Sequence, residues 1–366
     1  MSRCIKLFQP PAFEKKPLDI VGLEKKLGGK LYYASKGRYA ICHIVRSLSP
    51  RNNTVLSSPY MCPTVQYELK RLGCRIKYYD IDIRDLNPSV ESVRELLKET
   101  EAATVVAPSL FGNPAALTEL EEVCREANAF LIDDAAQTFG AMLDERYVGG
   151  FGDGGAIAFS PGKATAGHMG ALFRTKNESY EIKRKHHELI HRVCWCDYYL
   201  NRHHIYDNRL LKLTRLCSYA SSALQKYIDI SNDDVERFEL PILGGIAFAA
   251  ENGWYEFRIR YYNEFINQFG ESNIYTVVHA VRGTPNPHKI VLRFSVHDKA
   301  YEFRQFMGQR NVFVYDGYSM LSDNPDKLPN CEKVRGCIAE LPIEDNVERM
   351  NFLFNCFEQY VRKCKS

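Results

Sequence analysis

An acidic pair and a single lysine follow two apolar segments of this sequence and are the residues best suited to chemistry. Asp133 and Asp134 come directly after the apolar residues 130–132, and Lys163 lies among small residues after the apolar segment 156–159. A buried carboxylate is costly unless it has a partner. An amine held at the end of a buried strand loses water, which lowers its pKa and makes it nucleophilic. The ordinary alternatives are a helix cap and a solvated acid for the pair, and a solvated lysine.

The first half of the chain predicts the framework that would bring these residues together. Short apolar segments alternate with stretches whose apolar residues recur every three or four positions, which is typical of strands alternating with helices. The predicted strands are 54–57, 76–79, 103–106, 130–132 and 156–159. This alternation indicates an α/β fold with a mostly parallel sheet. Ligands bind at the carboxyl ends of such strands, where the acids and the lysine are expected.

A carboxylate and a lysine on neighbouring strand ends meet two requirements of pyridoxal phosphate. The amine forms an imine with the cofactor's aldehyde, and the acid keeps the ring nitrogen protonated. The phosphate is expected at the start of a helix, and the small-residue turn at 35–40 opens one. The glycine-rich residues 150–155 precede a strand and lack the lysine and hydroxyl residue of a phosphate loop, so they predict a tight turn.

From about residue 33 to residue 174 the chain resembles the DegT/DnrJ/StrS-type sugar aminotransferases, which are fold-type-I pyridoxal phosphate enzymes. The motifs that carry this resemblance, in order, lie at residues 37–41, 55–60, 79–82, 108–112, 132–137, 149–153 and 163–170. Their order and intervals make the resemblance specific. It implies a large domain of the pyridoxal-phosphate-transferase type over residues 1–240. A long linking helix and a smaller C-terminal α+β domain would occupy residues 241–366.

The resemblance also implies roles for individual residues. Lys163 would bind the cofactor covalently and move protons, and Asp134 would bind the pyridine nitrogen. Gln137 would contact the side of the ring that carries the phenolic oxygen. Gly37 and Arg38 would bind the phosphate through their backbone amides.

Three positions depart from the family pattern. Cys62 stands where the family places the residue that stacks on the ring, which is often aromatic. Ala158 occupies the position of a phosphate-binding serine, and Ser160, three residues before the lysine, is the candidate to replace it. The usual Glu-Gly-Gly after the lysine is here Met-Gly-Ala at 169–171.

The implied reaction moves an amino group from an amino acid, glutamate or glutamine, to a keto sugar carried on a nucleotide, in surface-polysaccharide or secondary-metabolite biosynthesis. A homodimer with the site at its interface is expected, and Asn201 and Asn208 are candidates to reach the neighbouring phosphate. Arg293, His191 and Tyr318 are candidates for substrate contacts. Two alternatives stay open: a pyridoxal phosphate enzyme of another reaction type, such as a sugar dehydratase, and a catalytically idle relative that binds the cofactor.

Composition limits the other function classes. The 366 residues carry 48 Lys and Arg against 45 Asp and Glu, a formal charge of +3, which argues against a nucleic-acid binder. No apolar stretch approaches the roughly 18 residues that cross a bilayer, and the first residues lack a signal peptide's apolar segment, so a cytoplasmic enzyme is expected. The twelve cysteines are expected as thiols. Cys194, Cys196 and His191 lie close in sequence, but their spacing does not match the usual zinc pattern, and no metal site is predicted.

Overall fold

The structure is a computed structural model, and it describes residues 19–34, 36–159, 163, 170–182, 254–320, 327–344 and 346–365. The first half contains the strands β1 (Leu31–Ala34), β2 (Thr54–Ser57), β3 (Arg75–Tyr78), β4 (Thr104–Pro108), β5 (Phe130–Asp134), β6 (Met142–Leu143), β7 (Arg146–Tyr147), β8 (Gly154–Ala158) and β9 (Ala171–Thr175). Its helices are α1 (Ile20–Leu27), α2 (Gly37–Leu48), α3 (Pro63–Arg71), α4 (Val90–Thr100) and α5 (Leu117–Glu126).

Seven of these strands form one sheet in the order β1-β9-β8-β5-β4-β2-β3. The five strands from β8 to β3 are parallel, whereas β9 and β1 run antiparallel to their neighbours. Helices cover the sheet, and β2, β4, β5 and β8 are buried almost throughout, as expected for central strands with both faces covered. The predicted α/β class with a mostly parallel sheet is therefore confirmed, and the five predicted strands lie within two residues of the observed ones.

One helix begins later than the sequence indicates. Proline is common in the first turn of a helix, so Pro114 predicts that α5 starts there, but the helix begins at Leu117. The Ser109 hydroxyl accepts a hydrogen bond from the Ala115 N–H at 3.1 Å, and the Asn113 N–H donates to the Leu110 carbonyl at 2.8 Å. These bonds hold residues 113–115 in a non-helical conformation, so the helix starts only after them.

The C-terminal residues form a second unit with its own core. It contains the strands β10 (Tyr275–Val278), β11 (Lys289–Phe294) and β12 (Ile338–Pro342) in one antiparallel sheet, with the helices α6 (Trp254–Phe269), α7 (His297–Gly308), α8 (Pro329–Val334) and α9 (Val347–Lys365). The rings of Phe265, Phe303 and Phe357 fill the space between sheet and helices. Helix α6 lies in the segment 241–366, where a long linking helix was predicted. Residues 183–253, with the predicted domain boundary at 240, lie outside the described part. None of the described helices is both long and apolar enough to cross a bilayer.

The two units are joined at the carboxyl edge of the parallel sheet. Both carboxylate oxygens of Asp80, just after β3, accept hydrogen bonds from the backbone N–H groups of Asn330 and Cys331 at the start of α8, each at 2.9 Å. Asp85 is fully buried and pairs with Arg282 at 2.9 Å. The C-terminal unit therefore lies directly beside the edge where ligands bind.

Candidate active site

A cavity of about 410 Å³ opens at the carboxyl ends of β4, β5 and β8, between the first turns of α2 and α3. Six of the seven predicted site residues line it: Gly37, Arg38, Cys62, Asp134, Gln137 and Lys163. The seventh, Ser160, lies outside the described residues. Pro108 and Ala158, the last residues of β4 and β8, form part of the wall. The structure thus brings together residues spread over more than a hundred positions of the sequence.

Asp134 is the acid that faces the cavity. It ends β5, is 6% exposed, and accepts a hydrogen bond from the Ala136 N–H at 3.1 Å. Burial raises the pKa of its carboxyl, and the positive charge of Lys163 opposes that shift. A cation at this position would keep Asp134 ionised.

Asp133 points to the opposite side of the sheet, because successive side chains of a strand alternate. Its Oδ2 accepts hydrogen bonds from the N–H groups of Gly149, at 2.5 Å, and Phe151, at 3.2 Å. Burial raises its pKa to about 7, although these bonds and the charge of Arg174 act in the other direction. Asp133 therefore holds the turn before β8, and neither acid of the pair is a solvated side chain.

Lys163 has the electrostatic surroundings of a reactive amine. Burial lowers the pKa of its ammonium group, the charge of Lys289 adds to this effect, and the Cys62 thiol and the Asp134 carboxylate oppose it. A lowered pKa increases the neutral fraction of the amine near pH 7, and only the neutral amine is a nucleophile or a base.

Two helix starts converge on the cavity. Helix α2 begins at Gly37 after Lys36, and α3 begins at Pro63 after Cys62, and neither preceding side chain caps its helix. The first N–H groups of a helix have no partner within the helix and carry a partial positive charge. Together with the cationic side chains of Lys36 and Arg38, they form an environment suited to a phosphate group.

Gln137 is held at both ends of its amide. Its Oε1 accepts a hydrogen bond from the Phe111 N–H at 3.3 Å, and its Nε2 donates to the hydroxyl of Tyr318. Tyr318 belongs to the C-terminal unit, and its ring packs edge-on against Tyr60 with centroids 5.6 Å apart. A residue that lines the cavity is therefore held by one that lies 181 positions away in sequence.

Comparison with known proteins agrees with this geometry. Residues 47–194 match the family model of the DegT/DnrJ/EryC1/StrS aminotransferases. The matched segment, less than half of the chain, is similar to this family. The resemblance recognised in the sequence motifs is thereby confirmed.

Curated relatives share only part of their length with this chain. GDP-4-keto-6-deoxy-D-mannose 3-dehydratase of Escherichia coli O55:H7 is 32% identical over 89 residues, 24% of this chain and 23% of that protein. GDP-perosamine synthase of Escherichia coli O157:H7 is 25% identical over 144 residues, 37% of this chain and 39% of that protein. The chain thus matches between about a quarter and two fifths of the length of these two relatives.

Solved structures share the fold over nearly the whole chain. PseC of Helicobacter pylori, an aminotransferase of pseudoaminic acid biosynthesis, superposes with a TM-score of 0.72 at 14% identity and covers 99% of this chain and 100% of its own. The aminotransferase TlmJ of Streptoalloteichus hindustanus gives 0.72 at 15% identity with the same coverage. At these identities the comparison establishes the architecture alone.

Two departures from the DegT/DnrJ/EryC1/StrS pattern have a structural setting. Ala158 is 3% exposed, and a Cβ atom built on Gly37 would lie 3.1 Å from the Ala158 Cβ. The start of α2 therefore packs closely on the end of β8, and a phosphate there would depend on backbone N–H groups rather than on a hydroxyl at 158. Cys62 is partly exposed to the cavity, with its Sγ 3.1 Å from the Thr64 hydroxyl.

The remaining candidates are placed as follows. Tyr318 accepts a hydrogen bond from the lining residue Gln137, and Arg293 lies on β11; neither is among the residues that line the cavity. His191, Cys194, Cys196, Asn201 and Asn208 lie outside the described residues. In the part of the chain that the structure describes, no three His, Cys, Asp or Glu side chains are grouped as metal ligands. The Lys289–Glu340 ion pair, whose charges act on Lys163, was not recognised in the sequence.

Proposed function

We propose that this protein is a pyridoxal-phosphate-dependent aminotransferase that moves an amino group from an amino acid to a keto sugar. The observation that supports it most is the set of Lys163, Asp134 and Gln137 around one cavity, with two helix starts beside them. These groups fit the cofactor's aldehyde, ring nitrogen, ring oxygen and phosphate, in that order. When bound, the cofactor supplies an aldehyde that captures amines and a ring that withdraws electrons.

Asp134 would hold a proton on the ring nitrogen. An ionised carboxylate favours a protonated base beside it, and the dry strand end strengthens this attraction relative to water. Burial alone raises the pKa of Asp134, so a cationic partner is needed to keep it charged. The ring nitrogen would be that partner.

Lys163 would perform two tasks with one nitrogen. Its Nζ would hold the cofactor covalently through the aldehyde carbon. When that bond is open, the free amine, with its lowered pKa, would act as the general base that takes a proton from the donor's α carbon. In the second half of the reaction it would return a proton to the carbon that receives the amine.

The phosphate would be bound by the backbone N–H groups of Gly37 and Arg38, with Ser160 as a further candidate ligand. Cys62 would lie against the face of the ring. Its side chain is smaller than an aromatic ring, which leaves more room in the cavity on that side.

The substrate class is inferred from relatives. Their names include GDP-perosamine synthase, dTDP-4-dehydro-2,3,6-trideoxy-D-glucose 4-aminotransferase and a lipopolysaccharide biosynthesis protein. A nucleotide-linked keto sugar is therefore proposed as acceptor and glutamate or glutamine as donor, in a cytoplasmic homodimer whose site lies at the subunit interface.

A dehydratase is the second candidate. Among the relatives is a 3-dehydratase at 32% identity, and the departures at Ala158 and Cys62 show that the cofactor's surroundings differ from the common pattern. The residues that line the cavity do not by themselves separate the two candidates. The presence of Lys163 and Asp134 argues against an idle relative.

The test begins with the purified protein supplied with pyridoxal phosphate. Borohydride reduction followed by peptide mapping should place the adduct on Lys163, and the Lys163→Ala variant should carry none. An adduct on another residue would contradict the assignment. Incubation with nucleotide keto sugars and glutamate or glutamine should then yield an amino sugar, whereas loss of a sugar hydroxyl without amine transfer would establish the dehydratase.

A further inference from the structure

The amide of Gln137 has only one possible orientation. A backbone N–H can only donate, so the atom that faces the Phe111 N–H must be Oε1, and Nε2 must face Tyr318. Nε2 carries two hydrogens. One is donated to the Tyr318 hydroxyl, and Gln137 also lines the cavity, so the other is available to an acceptor there.

Tyr318 reaches Gln137 because a glycine precedes it. Gly317 has a φ of +78°, and a Cβ atom at this position would lie 2.5 Å from the Tyr60 hydroxyl oxygen and 3.1 Å from the Ile338 Cβ. The chain can pass this closely only without a side chain. Burial, with a contribution from the Glu340 carboxylate, raises the pKa of Tyr318 well above its usual value. The hydroxyl is therefore uncharged at neutral pH and can accept the Gln137 hydrogen.

The other partner of Gln137 is also fixed by the C-terminal unit. Phe111 has a φ of +60°, which is rare for an aromatic residue, and the following Gly112 has a φ of +90°. A Cβ at Gly112 would lie 2.1 Å from the Asn286 carbonyl oxygen, and the Asn286 N–H donates to the Gly112 carbonyl at 2.9 Å. The turn that presents the Phe111 N–H is thus held in place by the segment before β11.

We propose that Tyr318 is a positioning residue that orients the Gln137 amide so that its free hydrogen is donated to the ring oxygen of the cofactor. The inference rests on the proposed function. A donor at that oxygen stabilises its negative charge. The oxygen and the cofactor-bound lysine nitrogen then hold the proton between them less tightly, so it is lost at a lower pH. Removing the Tyr318 hydroxyl leaves the Gln137 amide anchored only through Oε1, so its Nε2 is held less firmly toward the cavity. The stabilisation of the ring oxygen then falls, and the proton is held to higher pH.

The readout is the absorbance of the protein-bound cofactor as a function of pH, compared between Tyr318→Phe and Tyr315→Phe. Tyr315 lies three residues away and is 45% exposed, which makes it a matched control. We expect the midpoint pH of the absorbance titration to rise by about 0.5 to 1 unit in Tyr318→Phe, which corresponds to the free energy of one net hydrogen bond. The midpoint of Tyr315→Phe should stay at the wild-type value. The titratable neighbours of Tyr318, namely Glu340, Cys62, Tyr60 and Asp134, are the same in all three proteins.

A second comparison separates positioning from packing. In Gln137→Leu the midpoint should already be raised, and adding Tyr318→Phe should shift it no further, because the hydroxyl acts only through the amide. An unchanged midpoint in Tyr318→Phe, or shifts that add in the double variant, would overturn the inference. Its failure is distinguishable from failure of the proposed function, since the latter shows as absence of a borohydride-trapped cofactor on Lys163 in the unaltered protein.

Discussion

The buried ion pair of the C-terminal sheet provides a quantitative test of how this unit influences the cavity. Lys289 on β11 and Glu340 on β12 are 8% and 4% exposed, and Nζ lies 2.5 Å from Oε2. The same ammonium lies 5.3 Å from the centre of the Phe111 ring. The perturbations are Lys289→Met, Glu340→Met and the double variant, in which Met approximates the volume of each side chain without its charge.

Removing one partner of such a pair leaves the other charge buried and uncompensated, which costs about 3–5 kcal/mol of unfolding free energy. Removing both leaves two apolar side chains in contact, which is often neutral or stabilising. We therefore expect each single variant to lose about 3 kcal/mol and the double variant to lie within about 1 kcal/mol of the wild type. The pKa of Lys163 should move in opposite directions: up without Lys289, because a like charge is lost, and down without Glu340.

Urea unfolding followed by circular dichroism measures the stability of each variant. The control is Lys299→Met, which breaks an exposed pair with Glu302 and should cost less than about 0.5 kcal/mol. If the losses of the two single variants simply add in the double variant, the pair is not coupled and the reasoning is wrong. Cofactor absorbance against pH, recorded on the same proteins, reports the proton on the Lys163 nitrogen once it is bound to the cofactor, and its midpoint should shift in the same opposed directions.

Three further outcomes are expected. Gly112→Ala should lower the free energy of unfolding, measured with urea, by more than about 2 kcal/mol, because its Cβ would meet the Asn286 carbonyl at a positive φ. Asp133 keeps its proton to about pH 7 in the folded protein but only to about pH 4 in the unfolded chain. It therefore adds stability below pH 4 that is lost as the pH rises to 7, and Asp133→Asn should remove this pH dependence of the unfolding free energy. Ser89→Ala, which deletes the cap of α4 on the Ser92 N–H, should cost about 1 kcal/mol by thermal unfolding, and no change would contradict the capping role.

The sheet and most of the candidate site were predictable because their signals are local. Apolar segments with helical patterns between them indicated parallel strands, and parallel strands place the residues after them at one edge. Asp134, Gln137 and Lys163 follow that rule, and the family motifs predicted Gly37 as a phosphate-binding residue. Which of the two adjacent acids faces the cavity follows from the alternation of side chains along β5, and the resemblance had named the same one.

The rest of the site could not be predicted, since it depends on contacts between distant parts of the chain. Tyr318 approaches Gln137 only because the C-terminal unit packs on the sheet edge. No sequence pattern supports its choice as a candidate for substrate contacts. Lys289 and Glu340 are ordinary charged residues until their strands pair. The antiparallel strands β1 and β9 are short and carry no turn signal that links them, so their place beside β8 becomes visible only in three dimensions.

The attachment of α8 to Asp80 bears on attempts to exchange parts between relatives. The first N–H groups of that helix are satisfied by a carboxylate that precedes them by 250 residues. A chimera that grafts a foreign C-terminal segment onto this sheet would inherit the acid without a matching helix start, or the helix without its acid. Designers of hybrid enzymes on this scaffold should therefore transplant the loop after β3 together with the segment it anchors.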